Sequence, residues 1–165
     1  MNFKEQIPIS YILSIKECGW DEIAWGYHQG YLGYKDIIEF ANYRLTIEYN
    51  ELESDLVFLD KSKIEEIVSI LDQLACFDGS NFEQSHFWLV VNLAWCFQNK
   101  LEVDYALSQV EEIYNDFGCP EELLPFVRYA PVNGDYNPSE HTISENLSRL
   151  LKNWEQYLRN NGVDL

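Results

Sequence analysis

The sequence predicts an all-α fold: a single domain over residues 1–165, built as a bundle of seven or eight helices around one buried hydrophobic helix. Three observations carry this expectation. Apolar residues recur at spacings of three and four almost throughout the chain, the period of a helix with one buried face. Only 8 Gly and 5 Pro interrupt 165 residues, with no repeat and no visible linker. One stretch, Phe87 to Phe97, is apolar nearly all round, as a helix at the centre of a bundle is. The length suits one domain of ordinary size.

Taken in order, Ile9, Ile12, Leu13 and Ile15 predict a short first helix, closed by Gly19. Trp20, Ile23, Ala24 and Tyr27 follow the i, i+3, i+4, i+7 rule and predict a helix over 20–28. Gly30 and Gly33 bracket a turn. Ile37, Ile38, Ala41, Tyr43, Leu45 and Ile47 then predict a longer helix over 34–49, although Thr46, Ile47 and Tyr49 read equally as extended chain. Residues 50–60 carry four acids and lack a clear period, so they are left as a link, and 43–60 stays open between helix and strand. Ser62 and Glu65 form a capping-box signature ahead of Ile64, Ile67, Val68 and Leu71, predicting a helix that ends at Cys76 or Phe77. Residues 78–81 form a turn cluster.

For Trp88 to Val91 a central strand competes with the helix, and the length of the apolar run favours the helix. Asp104 is placed to cap the next helix, with Ala106, Leu107, Val110, Ile113 and Phe117 inward and Gly118 at its end. Pro120, Glu121 and Glu122 open a short helix with Pro125 in its early turns. Residues 132–139 form the longest loop. Thr142 and Glu145 make a second capping box, followed by the cleanest amphipathic stripe of the chain: Ile143, Leu147, Leu150, Leu151, Trp154, Tyr157 and Leu158.

Charge narrows the choice of partner. There are 28 Asp and Glu against 11 Lys and Arg, a net of -17. That balance opposes nucleic acid, whose affinity comes mainly from neutralised phosphates, and opposes anionic membrane surfaces. It favours a basic protein partner, or serves solubility alone. The excess is uneven. From Ile64 to Val127 there are twelve acids and one base, Lys100. Glu102, Asp104, Glu111, Glu112, Asp116, Glu121 and Glu122 form its densest part and are the candidate partner-binding residues. Glu112 and Asp116 lie four apart on one helix face, where like charges destabilise by roughly 0.2–0.5 kcal/mol. A solvated face explains the same residues without a partner.

Catalytic chemistry finds little to build on. Glu83-x-x-His86 matches half of a di-iron helix motif, and the second copy that such a site needs is missing. No metal, cofactor or catalytic residue is expected, and the chain reads as a non-enzyme. Cys18, Cys76, Cys96 and Cys119 show no C-x-x-C spacing. Cys76 and Cys96 have apolar neighbours and read as buried thiols. Cys119 precedes Pro120 at a helix start, where a thiolate is favoured. The absence of a secretory pattern and of any long apolar run leads to a cytoplasmic expectation with free thiols. The rival expectation is a small enzyme or ligand receptor. The Trp, Tyr and Cys residues near 83–97 would then line an apolar pocket, with Glu83, His86 and Cys119 as its polar groups.

Two stretches carry a family resemblance. One is Trp20-Asp21-Glu22-Ile23-Ala24-Trp25-Gly26, followed by Gly30 and by Asp36-Ile37-Ile38-Glu39-Phe40-Ala41. The other is Ile113-Tyr114-Asn115-Asp116-Phe117, then Pro120-Glu121-Glu122, Phe126-Val127-Arg128-Tyr129 and Pro131. With Leu93-Ala94-Trp95 they resemble the bacterial domain of unknown function 2247 over roughly 15–135. Gly118-Cys119 replaces an aromatic expected before the proline, and Ala130 a larger residue. The resemblance carries no enzymatic activity. It implies a small cytosolic protein encoded beside polymorphic or contact-dependent toxins, hence an immunity protein that neutralises a cognate toxin, a basic nuclease in type, by occlusion. Within the second stretch, Tyr114, Phe117, Phe126 and Tyr129 are expected to pack, and Asp116 to pair with Arg128.

Overall fold

A computed structural model describes residues 6–76, 81–132 and 134–165. These residues form eight α-helices and no strand. The helices are α1 (Ile9–Ile15), α2 (Trp20–Gln29), α3 (Tyr34–Leu45), α4 (Glu51–Val57), α5 (Ile64–Leu74), α6 (Phe82–Gln98), α7 (Val103–Asp116) and α8 (Ile143–Asn160). Three 3₁₀ turns, Lys61–Lys63, Glu121–Phe126 and Pro138–Glu140, complete the order. The all-α expectation therefore holds. The apolar run is a helix and not a strand, and residues 87–94 of α6 are buried on every side.

Four boundaries differ from expectation, each for a local reason. The open link at 43–60 holds no strand and is helical in part: α3 stops at Leu45, short of residue 49, and Asn50 caps α4 by accepting the Glu53 N–H at 3.3 Å. The Ser62 capping box is not used. Asp60 instead accepts the Ser62 N–H at 2.7 Å and its hydroxyl at 2.6 Å, which turns 61–63 into a 3₁₀ turn. Those bonds hold the Asp60 carboxyl below its usual range. Helix α5 ends at Leu74, short of Cys76, because the Cys76 N–H donates to the Asp21 carboxylate at 2.6 Å and the chain leaves the helix to reach it. Cys76 is accordingly exposed, against expectation, while Cys96 is buried as expected. Phe77 and the turn expected at 78–80 lie outside the described residues, as does Asn133. Finally, Asp104 does not cap α7. Glu102 holds the N-cap position and Asp104 lies in the first turn.

The Thr142–Glu145 box forms as expected. The Glu145 N–H donates to the Thr142 hydroxyl at 3.2 Å, and the Thr142 N–H donates back to Glu145 at 2.7 Å. The Thr142 N–H and the Thr142 hydroxyl, both donating to the carboxylate, hold the Glu145 carboxyl below its usual range, with a smaller contribution from His141. Leu150, Trp154 and Leu158 of the α8 stripe are buried, but Ile143 at its head is 80% exposed.

The chain gathers into two compact units, Lys4–Trp88 and Leu89–Leu165, divided within α6. In the N-terminal unit, the Trp20 ring meets Phe40 edge-on at 4.8 Å, and its indole N–H donates to Glu53 Oε1 at 2.7 Å. Arg44 Nε reaches the same oxygen at 3.3 Å, so the buried Glu53 carboxylate joins α2, α3 and α4. Trp25, Tyr31 and Trp88 stack in a column, with centroids 6.1 and 5.0 Å apart and planes within 13° and 11°. The Trp88 indole N–H donates to the Glu22 carbonyl at 2.8 Å. Gly26 faces the same indole, and a Cβ added there would fall inside the ring.

In the C-terminal unit the core is built on Trp154, fully buried between Phe97, edge-on at 5.1 Å, and Phe126, stacked at 6.2 Å. Burial of this kind contributes about 1.5–3 kcal/mol per large apolar side chain. Two polar ties fix the 3₁₀ turn Glu121–Phe126 on α8. The Asn153 side-chain amide donates to the Pro125 carbonyl at 2.8 Å, and the Tyr157 hydroxyl donates to Glu122 at 2.8 Å. Burial, then Glu122, pushes the Tyr157 phenol far above its ordinary value, so it remains a donor at every physiological pH.

Candidate partner-binding surface

The acidic residues that the sequence singled out all lie in the C-terminal unit, on α7 and on the turn after it. Residues 101–127 hold seven acids and no base. Glu102, Asp104, Glu112, Asp116, Glu121 and Glu122 are exposed. Helix α7 turns Ala106, Leu107, Val110 and Ile113 inward. At 100° per residue this leaves Asp104, Tyr105, Ser108, Glu112, Asn115 and Asp116 on the opposite arc. Tyr105 is 62% exposed there, and Leu101, just before the helix, is 98% exposed. The arc is acidic with an aromatic ring among its carboxylates, and the sequence reading had missed that ring.

Glu111 behaves differently from its neighbours. It is partly buried and takes a two-pronged bond from Arg128: Nε donates to Oε1 at 2.6 Å and Nη2 to Oε2 at 3.0 Å. Arg128 Nη1 also lies 3.7 Å from Asp104. Paired planar groups of this kind are among the stronger ion pairs. The hydrogen bonds that Arg128 donates to Glu111 hold its guanidinium above its already high ordinary pKa. The pairing expected between Arg128 and Asp116 is thus replaced by one with Glu111. The chain after the 3₁₀ turn comes back over the middle of α7, five residues short of its C-terminal end. Glu111 is therefore part of the fold, and its charge is already answered from within the chain.

Two residues at the end of α7 make that return possible. Gly118 and Cys119 both adopt positive φ, 77° and 60°. The Cys119 N–H donates to the Tyr114 carbonyl at 2.8 Å, closing the helix end. Cys119 is exposed; it closes the C-terminus of α7 and also precedes Pro120, the N-cap of the 3₁₀ turn Glu121–Phe126. Pro125 lies inside that turn and not in an α-helix.

The returning segment leaves a groove against α7. Its volume is about 360 Å³, and Glu111, Tyr114, Asn115, Leu124, Val127, Tyr129, Ala130 and Pro131 line it. Of the four aromatics expected to pack in this stretch, Phe126 is buried and Tyr114 and Phe117 are half-buried. Tyr129 is 84% exposed, against expectation. It follows Arg128, whose side chain turns down onto Glu111, so its own ring is turned outward beside the guanidinium, 5.7 Å from the centroid. Partial desolvation, then Cys119 and Glu121, raises the Tyr114 phenol above its ordinary value, which brings the Glu121 carboxylate into the field at the groove.

The residues of the rival expectation are placed less productively. Glu83 and His86 lie in the N-terminal half of α6, where His86 stacks on Phe82 at 6.3 Å. The aromatics of α6 that would have lined a pocket are engaged in packing, with Trp88 and its neighbours buried. No group of three His, Cys, Asp or Glu residues suited to a metal ion occurs among the described residues. No described helix is long and apolar enough to cross a membrane.

Fold and surface together define a small all-α protein with an acidic, aromatic-bearing face. The chain belongs to the family of uncharacterized proteins conserved in bacteria called DUF2247, whose family model matches residues 10–162. No curated relative and no solved structure matches it.

Proposed function

We propose that this protein binds a basic protein partner through the acidic arc of α7 and the turn after it. We propose further that the pairing is that of a bacterial immunity protein with a toxin domain, nuclease-like in charge, which it neutralises by occlusion. The observation that carries the reading is the stretch 101–127, with seven acids and no base, six of those acids exposed, and the exposed Tyr105 on the same arc of α7 as Asp104, Glu112 and Asp116. A charged rim around aromatic anchors is the usual anatomy of a specific protein interface. Charge of one sign speeds encounter with a partner of the other sign.

The test is surface plasmon resonance against the toxin domain encoded beside the gene, at low and at physiological salt. Binding should weaken with salt, since exposed charges are screened over about 8 Å at 0.15 M. The variant Glu112→Lys should lower the association rate more than it raises the dissociation rate, with an unchanged melting temperature. No binding at micromolar concentration and low salt would sink the proposal. Binding with an unchanged association rate would remove the α7 arc from the interface.

A further inference from the structure

The groove between α7 and residues 127–131 has a chemistry that the acidic arc alone does not explain. Its walls are two tyrosines, an amide and apolar side chains, and the one carboxylate that lines it, Glu111, is already paired with Arg128. At about 360 Å³ it is at the small end of ligand pockets, the size for a single long side chain with its flanking backbone. The charge balance at the groove is negative: Glu111 and Asp104 flank the one Arg128 guanidinium, and Glu121 acts on the Tyr114 phenol. A carboxylate or phosphate would be repelled there. A cation would be drawn in, with its aliphatic stem against Leu124, Val127 and Pro131.

The unit already uses the contact such a cation would make. The Arg128 guanidinium stands 5.7 Å from the centroid of Tyr129, and the Arg149 guanidinium stands 4.4 Å over Tyr136. Tyr129 remains 84% exposed despite the first of these contacts, so most of its ring is open. We propose that this groove receives an arginine side chain presented by a loop of the basic partner, with the planar guanidinium on the Tyr129 ring. The inference rests on the proposed function and adds to it the anchoring residue and its pocket. Arginine is favoured over lysine because its planar, weakly hydrated guanidinium lies flat on a phenol ring, whereas an ammonium, like that of Lys100 over Phe97 at 3.5 Å, meets a ring as a more strongly hydrated point charge.

The test is a ¹⁵N NMR titration of the whole protein at low salt. The probes are three capped hexapeptides of Gly and Ser that carry one central arginine, lysine or citrulline. The arginine peptide should shift the amides of Tyr114, Asn115 and 127–130. The lysine peptide should shift the same amides more weakly, and the neutral citrulline peptide should leave them unmoved. In Tyr129→Ala, a change at an exposed position that leaves the core alone, the arginine peptide should bind about two- to fivefold more weakly. Equal shifts from both cationic peptides centred on Glu112 and Asp116, with the groove amides unmoved, would overturn the groove and leave the basic-partner reading standing. No shift from any peptide would also overturn the groove, and binding of the toxin domain would then decide the proposed function separately.

Discussion

The two stretches that carry the family pattern do opposite things. In Trp20–Gly26 each side chain is turned to an internal task. Trp20 donates to Glu53, Asp21 takes the Cys76 N–H, and Glu22 accepts the Gly19 N–H at 2.8 Å. Ile23 and Ala24 are buried, Trp25 stacks on Tyr31, and Gly26 makes room for Trp88. In 113–131 the same density of aromatic and charged residues is divided. Ile113, Leu123 and Phe126 face the core, Arg128 and Glu111 lock the segment down, and Tyr129 is left to solvent over a groove. A recurring pattern of Trp, Tyr and acids can thus encode a packing joint in one place and a presenting surface in another. What separates them is whether the aromatic rings are packed, as Trp20 and Trp25 are, or left to solvent, as Tyr129 is.

If that contrast is right, damage in the first stretch should appear as lost stability, and damage in the second as lost binding. The largest effect is expected from Gly26→Ala. The added methyl would enter the Trp88 ring in a fully packed core, where overpacking costs about 1–3 kcal/mol or more. Urea denaturation should show a midpoint far below the parent's, or no folded protein at all. Parent-like stability would mean that α2 and Trp88 are less tightly joined than the geometry requires.

Glu53→Ala comes next, because it strands the buried Trp20 N–H and removes the partner of Arg44. A lost hydrogen bond to a charged group is worth about 1.5–3 kcal/mol, and thermal melting should register a loss of that size. A smaller loss, about 1 kcal/mol, is expected for Glu111→Gln, since its pairing with Arg128 is partly exposed to solvent. Glu112→Lys should leave the melting temperature where it was. A like loss in that variant and in Glu111→Gln would erase the distinction between locking and presenting acids on α7.

The smallest effect is chemical. A maleimide should modify the exposed Cys76 and Cys119 of the native protein and spare the buried Cys96. Cys18 should also resist until the protein is unfolded. Burial, with the nearby Glu22 adding to it, pushes its thiol far above the ordinary range and leaves little thiolate. Equal rates at Cys18 and Cys119 would show the α2 region to be open where the packing says it is closed.

The parts of the fold legible in the sequence were those set by local rules. Helices α2 and α8 follow from periodicity, α6 from the length of its apolar run, and the start of α8 from two residues three apart. Helix α4 was not legible because its inward residues are Leu56 and Glu53, and a buried carboxylate breaks the apolar period that announces a helix. The α5 start was misplaced because two caps competed and Asp60 won. At the candidate surface, the acids were legible by count alone. The exception of Glu111 was not, because its partner lies 17 residues away and only the left-handed pair Gly118–Cys119 brings it back. Tyr129 was assigned inward because large aromatics usually are. Nothing local says that its neighbour Arg128 takes the inward place.

The Trp25–Tyr31–Trp88 column has an optical consequence. Three nearly parallel aromatic rings, 6.1 and 5.0 Å apart, place their electronic transitions within coupling range. The column belongs wholly to the unit Lys4–Trp88. Its circular dichroism band should therefore be lost when the rings part, which gives the chain a built-in optical reporter of the packing around Gly26.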